Sequence, residues 1–202
     1  MARDRAGRGP EAGNQIDPFG RRYPATGRRD GTFTGNWDYR RAHIICDLDP
    51  RWQRDRRYER LFFLDEATAL AAGFRPCHRC RRAAKRRFDE RWAAAHGGPA
   101  DTAEIDAVLR TERDRTAPGP EVELGEADLA DGAIVERDGI PLLVVSGTLL
   151  AWSPTGYTIP TGRAAAGRLR LVTPTSTLAV IAAGYRPELH PSAIQGAPAA
   201  RR

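Results

Sequence analysis

Three cysteines constrain this chain more than any other feature: a C-x-x-C pair, Cys77-His-Arg-Cys80, and a single Cys46 upstream of it. An odd number does not suit a fully paired disulfide framework. In a chain that reads as intracellular, a C-x-x-C pair points to metal or redox chemistry rather than to a covalent staple. Two thiolates on one tight turn can bind one tetrahedral zinc at roughly 2.3 Å each. A redox dithiol or a buried pair of core cysteines would show the same spacing, so the surrounding residues have to discriminate.

At 202 residues the chain has room for two small units joined by a linker. No apolar run approaches the roughly 20 residues of a membrane span, and the opening MARDRAGRGP lacks the apolar core of a signal peptide. We therefore expect a cytoplasmic protein with no membrane partner. The net charge of +6 is unevenly placed: residues 1–100 carry 22 Arg/Lys against 13 Asp/Glu, and residues 101–202 carry 10 against 13. A basic first half favours a polyanionic partner, nucleic acid above all, although an Arg-, Ala- and Gly-rich composition can also arise without any such partner.

Residues 1–34, rich in Gly, Pro and Arg, read as a flexible basic arm. Over 35–98 a compact module is expected. In it Ala42–Cys46 (AHIIC) and Arg60–Leu64 (RLFFL) are short buried strands joined by the charged loop DLDPRWQRDRRYE. Asp65 caps a short helix over EATALAA that Gly73 ends, and Pro76 prevents continuation just before Cys77. A second helix follows, with Ala84, Phe88 and Trp92 at a spacing of four and Gly97-Gly98 at its end; its apolar stripe should dock on the two strands. Residues 99–125 hold a helix, DTAEIDAVLRTERDR, and the joint APGPEVELG. From 126 to 192 the period changes to short β-type runs (GAIVER, PLLVVSG, TLLAWS, YTIP, RLRLVTP) separated by Asp-Gly and Ser-Gly turns, closed by a helix over TSTLAVIAAGYRP. Residues 193–202 read as a disordered tail. The fold class is α+β: a small module of strands and helices, then a small antiparallel β-rich unit. TALAAGFRPCHR and LAVIAAGYRPELH end alike, which two helices terminated by Gly and turned by Pro would produce without any ancestral repeat.

The segment RLFFLDEATALAAGFRPCHRC, residues 60–80, resembles the second half of the Ada metal-binding domain. That pattern has a Phe-containing strand, an Ala-rich helix with Glu, then Ala-Gly-aromatic-Arg-Pro-Cys-x-Arg-Cys, and Cys46 stands at the family's separation from Cys77. The resemblance covers about 50 residues and implies an Ada-like zinc module. It implies a zinc held by four thiolates, the first of which, here Cys46, is activated to accept a methyl group from a DNA phosphotriester. The chain departs from the family where the second cysteine should stand, four residues after the first: that position is Pro50. The metal ligands are therefore Cys46, Cys77 and Cys80, with a fourth donor open among Asp49, His43, His78 and water. Asp49 is preferred because it lies in the loop where the missing cysteine would sit and a carboxylate binds zinc. An odd offset from Cys46 on a strand turns His43 to the other face.

The loop Arg51, Trp52, Gln53, Arg54, Asp55, Arg56, Arg57, Tyr58 interleaves guanidinium groups with aromatics beside Cys46. Such a mix pairs with phosphates and stacks on bases, and Arg75, Arg79, Arg81, Arg82, Lys85, Arg86 and Arg87 extend the positive region along the knuckle and its helix, with Arg75, Arg79, Arg82 and Arg86 the expected nucleic-acid contacts. Trp152–Tyr157 and Tyr185–His190 mix aromatic and polar groups but read as turns closed by packed rings. There is no phosphate-cradling glycine loop, no serine nucleophile motif and no hydrolase carboxylate pattern, so nothing identifies an enzyme. The expected function is zinc-stabilised nucleic-acid binding, DNA rather than RNA, in damage handling. The alternatives are a sacrificial Cys46 that accepts an alkyl group and a metal-free structural module.

Overall fold

A computed structural model describes residues 15–23, 33–38, 41–46, 58–79, 81–99, 101–114, 118–123, 129–161 and 168–196. The loop 47–57, with Asp49, Arg51, Trp52, Arg54, Arg56 and Arg57, lies outside them, as do Cys80 and residues 197–202.

The first sheet is built from β1 (Gln15–Ile16), β2 (Arg22–Tyr23), β3 (Phe33–Asp38), β4 (Arg41–Cys46), β5 (Tyr58–Phe63) and β6 (Arg75–Pro76). Their spatial order is β2-β1-β5-β3-β4-β6. Three helices accompany it: α1 (Glu66–Ala71), α2 (Arg82–His96) and α3 (Thr102–Arg113). A second sheet has the order β11-β10-β9-β8-β12-β7, from β7 (Glu121–Val122), β8 (Ile134–Arg137), β9 (Ile140–Val145), β10 (Thr148–Ser153), β11 (Gly156–Thr158) and β12 (Leu169–Leu171). All its pairings are antiparallel. Helices α4 (Thr175–Ala182) and α5 (Pro191–Gly196) complete the α+β fold.

Local chemistry explains most boundaries. Asp65 accepts the Thr68 amide at 2.8 Å and starts α1, and Asp101 accepts the Ala103 amide at 2.9 Å and starts α3. Two-residue turns join β8 to β9 through Asp138 and Gly139, and β9 to β10 through Ser146 and Gly147; all four residues have positive φ, as a type I′ turn requires. Both repeated helix endings are Schellman turns. Gly73 N–H donates to Leu70 O and Phe74 N–H to Ala69 O; likewise Gly184 N–H donates to Ile181 O and Tyr185 N–H to Val180 O. In each, the aromatic after the glycine tucks into the core, which accounts for the sequence echo on local grounds.

The packing departs from the expected layout in three places. The arm expected to be flexible over 1–34 contributes β1 and β2, because Ile16 is buried against the first core and β1 pairs in parallel with β5. The stripe of α2, Phe88 and Trp92, expected to dock on the two strands, shares a core with Leu61 and Phe63 of β5, but α2 lies chiefly against β6 and α4, with Val180, Ile181 and Tyr185 of the C-terminal segment in the same core. The tail expected from 193 is helical to Gly196, with Ala193 buried beside Leu150 and Tyr157.

Helix α1 is the pivot of this arrangement. All six of its residues are buried. Ala69 and Leu70 join the core shared with α2, α3 and α4, whereas Ala67 and Ala71 join the one shared with Ile134, Leu143, Val145 and Tyr157 of the second sheet. Strands β8 and β9 are likewise covered on both faces, since Val135, Leu142 and Val144 belong to a further cluster with Leu169 and Leu178. Sheets buried on both faces read as continuous apolar runs, as PLLVV does here.

Candidate metal centre

The cysteines meet through parallel pairing. Strand β4 pairs with β6 in the register Ile44 to Arg75 and Ile45 to Pro76, so the next residues along, Cys46 and Cys77, leave the strands side by side. Cys77 is 7% exposed, and its Sγ accepts the Arg79 amide at 3.4 Å. Arg81 N–H donates to Cys77 O at 3.0 Å, which holds the start of α2 close to Cys77. Of the soft donors expected in the sequence, the described residues place Cys46 at the end of β4 and Cys77 just after β6, a start that suits a thiophilic metal such as zinc; Cys80 and Asp49 lie outside the described residues. When bound, the metal would keep the sulfurs deprotonated. Among the described residues no group of three or more His, Cys, Asp or Glu gathers. Of the other donors, His78 is exposed on the turn and His43 lies on β4.

The arginines predicted to face a nucleic acid divide into two sets. Arg79, Arg82 and Arg86 are exposed, with Arg86 loosely paired to Glu90 at 3.8 Å. Arg87 and Arg91 are exposed on the same helix. Arg75 is 6% exposed, and its guanidinium is held by both oxygens of Asp106 on α3, through Nε to Oδ1 and through Nη2 to Oδ2 at 2.8 Å. A side chain withdrawn in this way is not presented to a phosphate; it ties the strand before Cys77 to α3. Lys85, counted with the positive region, is also buried, held by Asp89 at 2.5 Å.

A buried polar cluster, which sequence reasoning missed, adjoins the cysteine turn. Arg81 donates to Glu66 through Nη1 at 2.6 Å and to Glu188 through Nη2 at 2.7 Å. Glu66 also accepts the Tyr185 hydroxyl at 2.8 Å and the Glu188 amide at 2.9 Å. Its neighbour Asp65 accepts from the Thr68 amide and hydroxyl, from the Tyr157 hydroxyl at 3.1 Å and from the His190 amide at 3.0 Å. Trp152 Nε1 donates to Thr68 Oγ1 at 3.1 Å. Thus the two aromatic segments read as packed turns, Trp152–Tyr157 and Tyr185–His190, supply the partners that the first turn of a wholly buried helix requires. Burial raises the Asp65 carboxyl above its usual range. Burial, with Asp65 second, raises the Tyr157 phenol, and burial, with Glu66 second, raises that of Tyr185. The only hint in the sequence was the pair of acidic residues opening an otherwise apolar helix.

No described helix is long and apolar enough to cross a membrane. No curated protein and no solved structure matches the chain. The cysteine turn, the strand pairing that delivers Cys46 to it and the helix before it all fall within one matched segment: residues 21–82 match the family described as the metal binding domain of Ada, and the chain carries an Ada-like metal-binding domain there.

Proposed function

We propose that this protein binds nucleic acid through a zinc-stabilised Ada-like module, with DNA as the preferred ligand and DNA repair as its setting. The observation that carries the reading is the parallel register of β4 and β6, which sets Cys46 beside Cys77 at the foot of a helix whose outer face carries Arg82, Arg86, Arg87 and Arg91. A zinc ion would fix the Cys77–Cys80 turn, and with it the start of α2. The exposed guanidinium groups, Arg82 and Arg86 on one side of the helix and Arg87 and Arg91 on the other, would then meet phosphates from fixed positions, aided by Arg51, Trp52, Arg54, Arg56 and Arg57 from the segment after Cys46. Contacts of this kind are largely independent of sequence and sensitive to salt, each neutralised phosphate contributing about 0.9 to the slope of log K against log salt.

The test is fluorescence anisotropy of labelled duplex and single-stranded oligonucleotides, with zinc content measured by elemental analysis of the same samples. The parent should carry about one zinc per chain and bind with a negative salt slope. Cys77→Ser should lose the metal, and Arg82→Glu with Arg86→Glu should weaken binding and reduce the slope by about two phosphate contacts. A zinc-loaded parent that binds neither oligonucleotide at low salt would refute the nucleic-acid reading.

A further inference from the structure

The Cys77–Cys80 turn is pinned at both flanks by arginines that face inward. Two residues before Cys77, Arg75 is clamped by Asp106 of α3; one residue after Cys80, Arg81 is clamped by Glu66 of α1 and Glu188 of the C-terminal segment. Arg81 and Glu66 side chains are 3% and 1% exposed, so the pair is fully desolvated, whereas Glu188 is 62% exposed. Glu66 can hold Arg81 in one place only because its own oxygens are fixed by the Tyr185 hydroxyl and the Glu188 amide, while Glu66 N–H in turn donates to Glu188 O at 3.1 Å. Tyr185 is fixed by ring contact with Phe88 of α2, with centroids 5.4 Å apart. The chain of contacts therefore runs from the C-terminal segment, through α1, into the backbone that carries two of the three thiolates.

We propose that Glu66, Arg81, Tyr185 and Glu188 are positioning residues for the metal site, so that residues 185–188 complete a centre whose ligands all lie before residue 81. This rests on the zinc reading above. A turn that must present two sulfurs to one ion gains affinity when its geometry is held in advance, and outer partners of metal ligands typically contribute 10- to 100-fold in affinity. The C-terminal unit thereby acquires a role in the site even though it supplies no ligand.

Glu66→Gln is the direct variant, but it leaves Arg81 buried with one charge partner fewer and can unfold the protein. Tyr185→Phe removes a single hydroxyl, and Glu188→Gln alters an exposed partner. The full chain is used throughout, with Leu142→Ala, a cavity in the second sheet remote from the turn, as the control. Two quantities are measured: zinc affinity by competition with a chromophoric chelator, and the rate at which N-ethylmaleimide alkylates Cys77 in chelator-stripped protein, followed by mass spectrometry. The expected result is a roughly tenfold or greater loss of zinc affinity and faster Cys77 alkylation in Tyr185→Phe and Glu188→Gln, with neither changed in Leu142→Ala despite its lower Tm. Folded Tyr185→Phe and Glu188→Gln proteins that match the parent in both, or a Leu142→Ala that moves both equally, would overturn the inference. A parent that takes up no zinc defeats the metal reading alone, because the alkylation rates still decide whether these residues hold the turn.

Discussion

The clamp between Arg75 and Asp106 offers the sharpest test of how the module is held together. Both residues are nearly inaccessible, at 6% and 7% exposure, and the contact is bidentate; the third nitrogen of Arg75 donates to Pro76 O at 3.1 Å. Asp106→Ala leaves a guanidinium buried with one backbone acceptor. Removing one partner of a buried pair costs about 3–5 kcal/mol, a large share of the roughly 5–15 kcal/mol that keeps a domain folded. Replacing both partners by apolar groups of similar volume, Arg75→Met with Asp106→Leu, removes the uncompensated charge and should restore stability to within about 1 kcal/mol of the parent or above it. The assay is urea unfolding followed by far-UV circular dichroism for the parent, Asp106→Ala, the single variants Arg75→Met and Asp106→Leu, and the double variant. The cycle should show strong coupling, at the upper end of the roughly 0.5–3 kcal/mol found for contacting residues or beyond it. An Asp106→Ala variant within about 1 kcal/mol of the parent, or strictly additive single effects, would refute the account of Arg75 as a buried clamp. It would also return that arginine to the nucleic-acid surface.

Phe88, fully buried between Trp92 and Tyr185, should cost about 3–5 kcal/mol on truncation to Ala, measured by the same unfolding curves; a cost below about 1 kcal/mol would show that α2 does not seat on the C-terminal segment. Tyr157 and Tyr185 carry phenols raised above their ordinary value of 10.0. The native state therefore keeps protons that the unfolded chain releases above pH 10, so their contribution is whole below that pH and is lost as pH rises. Two such groups give a fall of up to ~2.7 kcal/mol per pH unit on the alkaline limb. Tyrosinate absorbance should lag behind that of a model peptide until unfolding, and Tyr185→Phe should make the limb shallower; a limb unchanged by Tyr185→Phe would mean that its phenol titrates freely in the native state.

Much of the local structure was legible because each feature had its own nearby cause. Asp65 three residues before Thr68 made a cap, Gly73 and Gly184 made helix ends, and Asp138-Gly139 and Ser146-Gly147 made hairpins. The stripe of Ala84, Phe88 and Trp92 was read correctly as one buried face. Ile16 was missed because one buried side chain in a polar segment carries no periodicity; only its contact with the core orders it. Arg75 and Arg81 were read as surface charges because their partners, Asp106 and Glu188, stand far away in sequence, and no rule of spacing links them.

By itself, then, the order of residues determined the elements, the C-x-x-C turn and the family that this turn and the helix before it resemble, since these depend on side chains a few positions apart. Only the tertiary structure decided that α1 lies buried between the two sheets with Asp65 and Glu66 at its start. A buried acid has to find donors wherever the fold brings them, and here they come from Tyr157, Tyr185, Glu188 and His190. The same requirement links the C-terminal segment to the cysteine turn more than a hundred residues away in the chain.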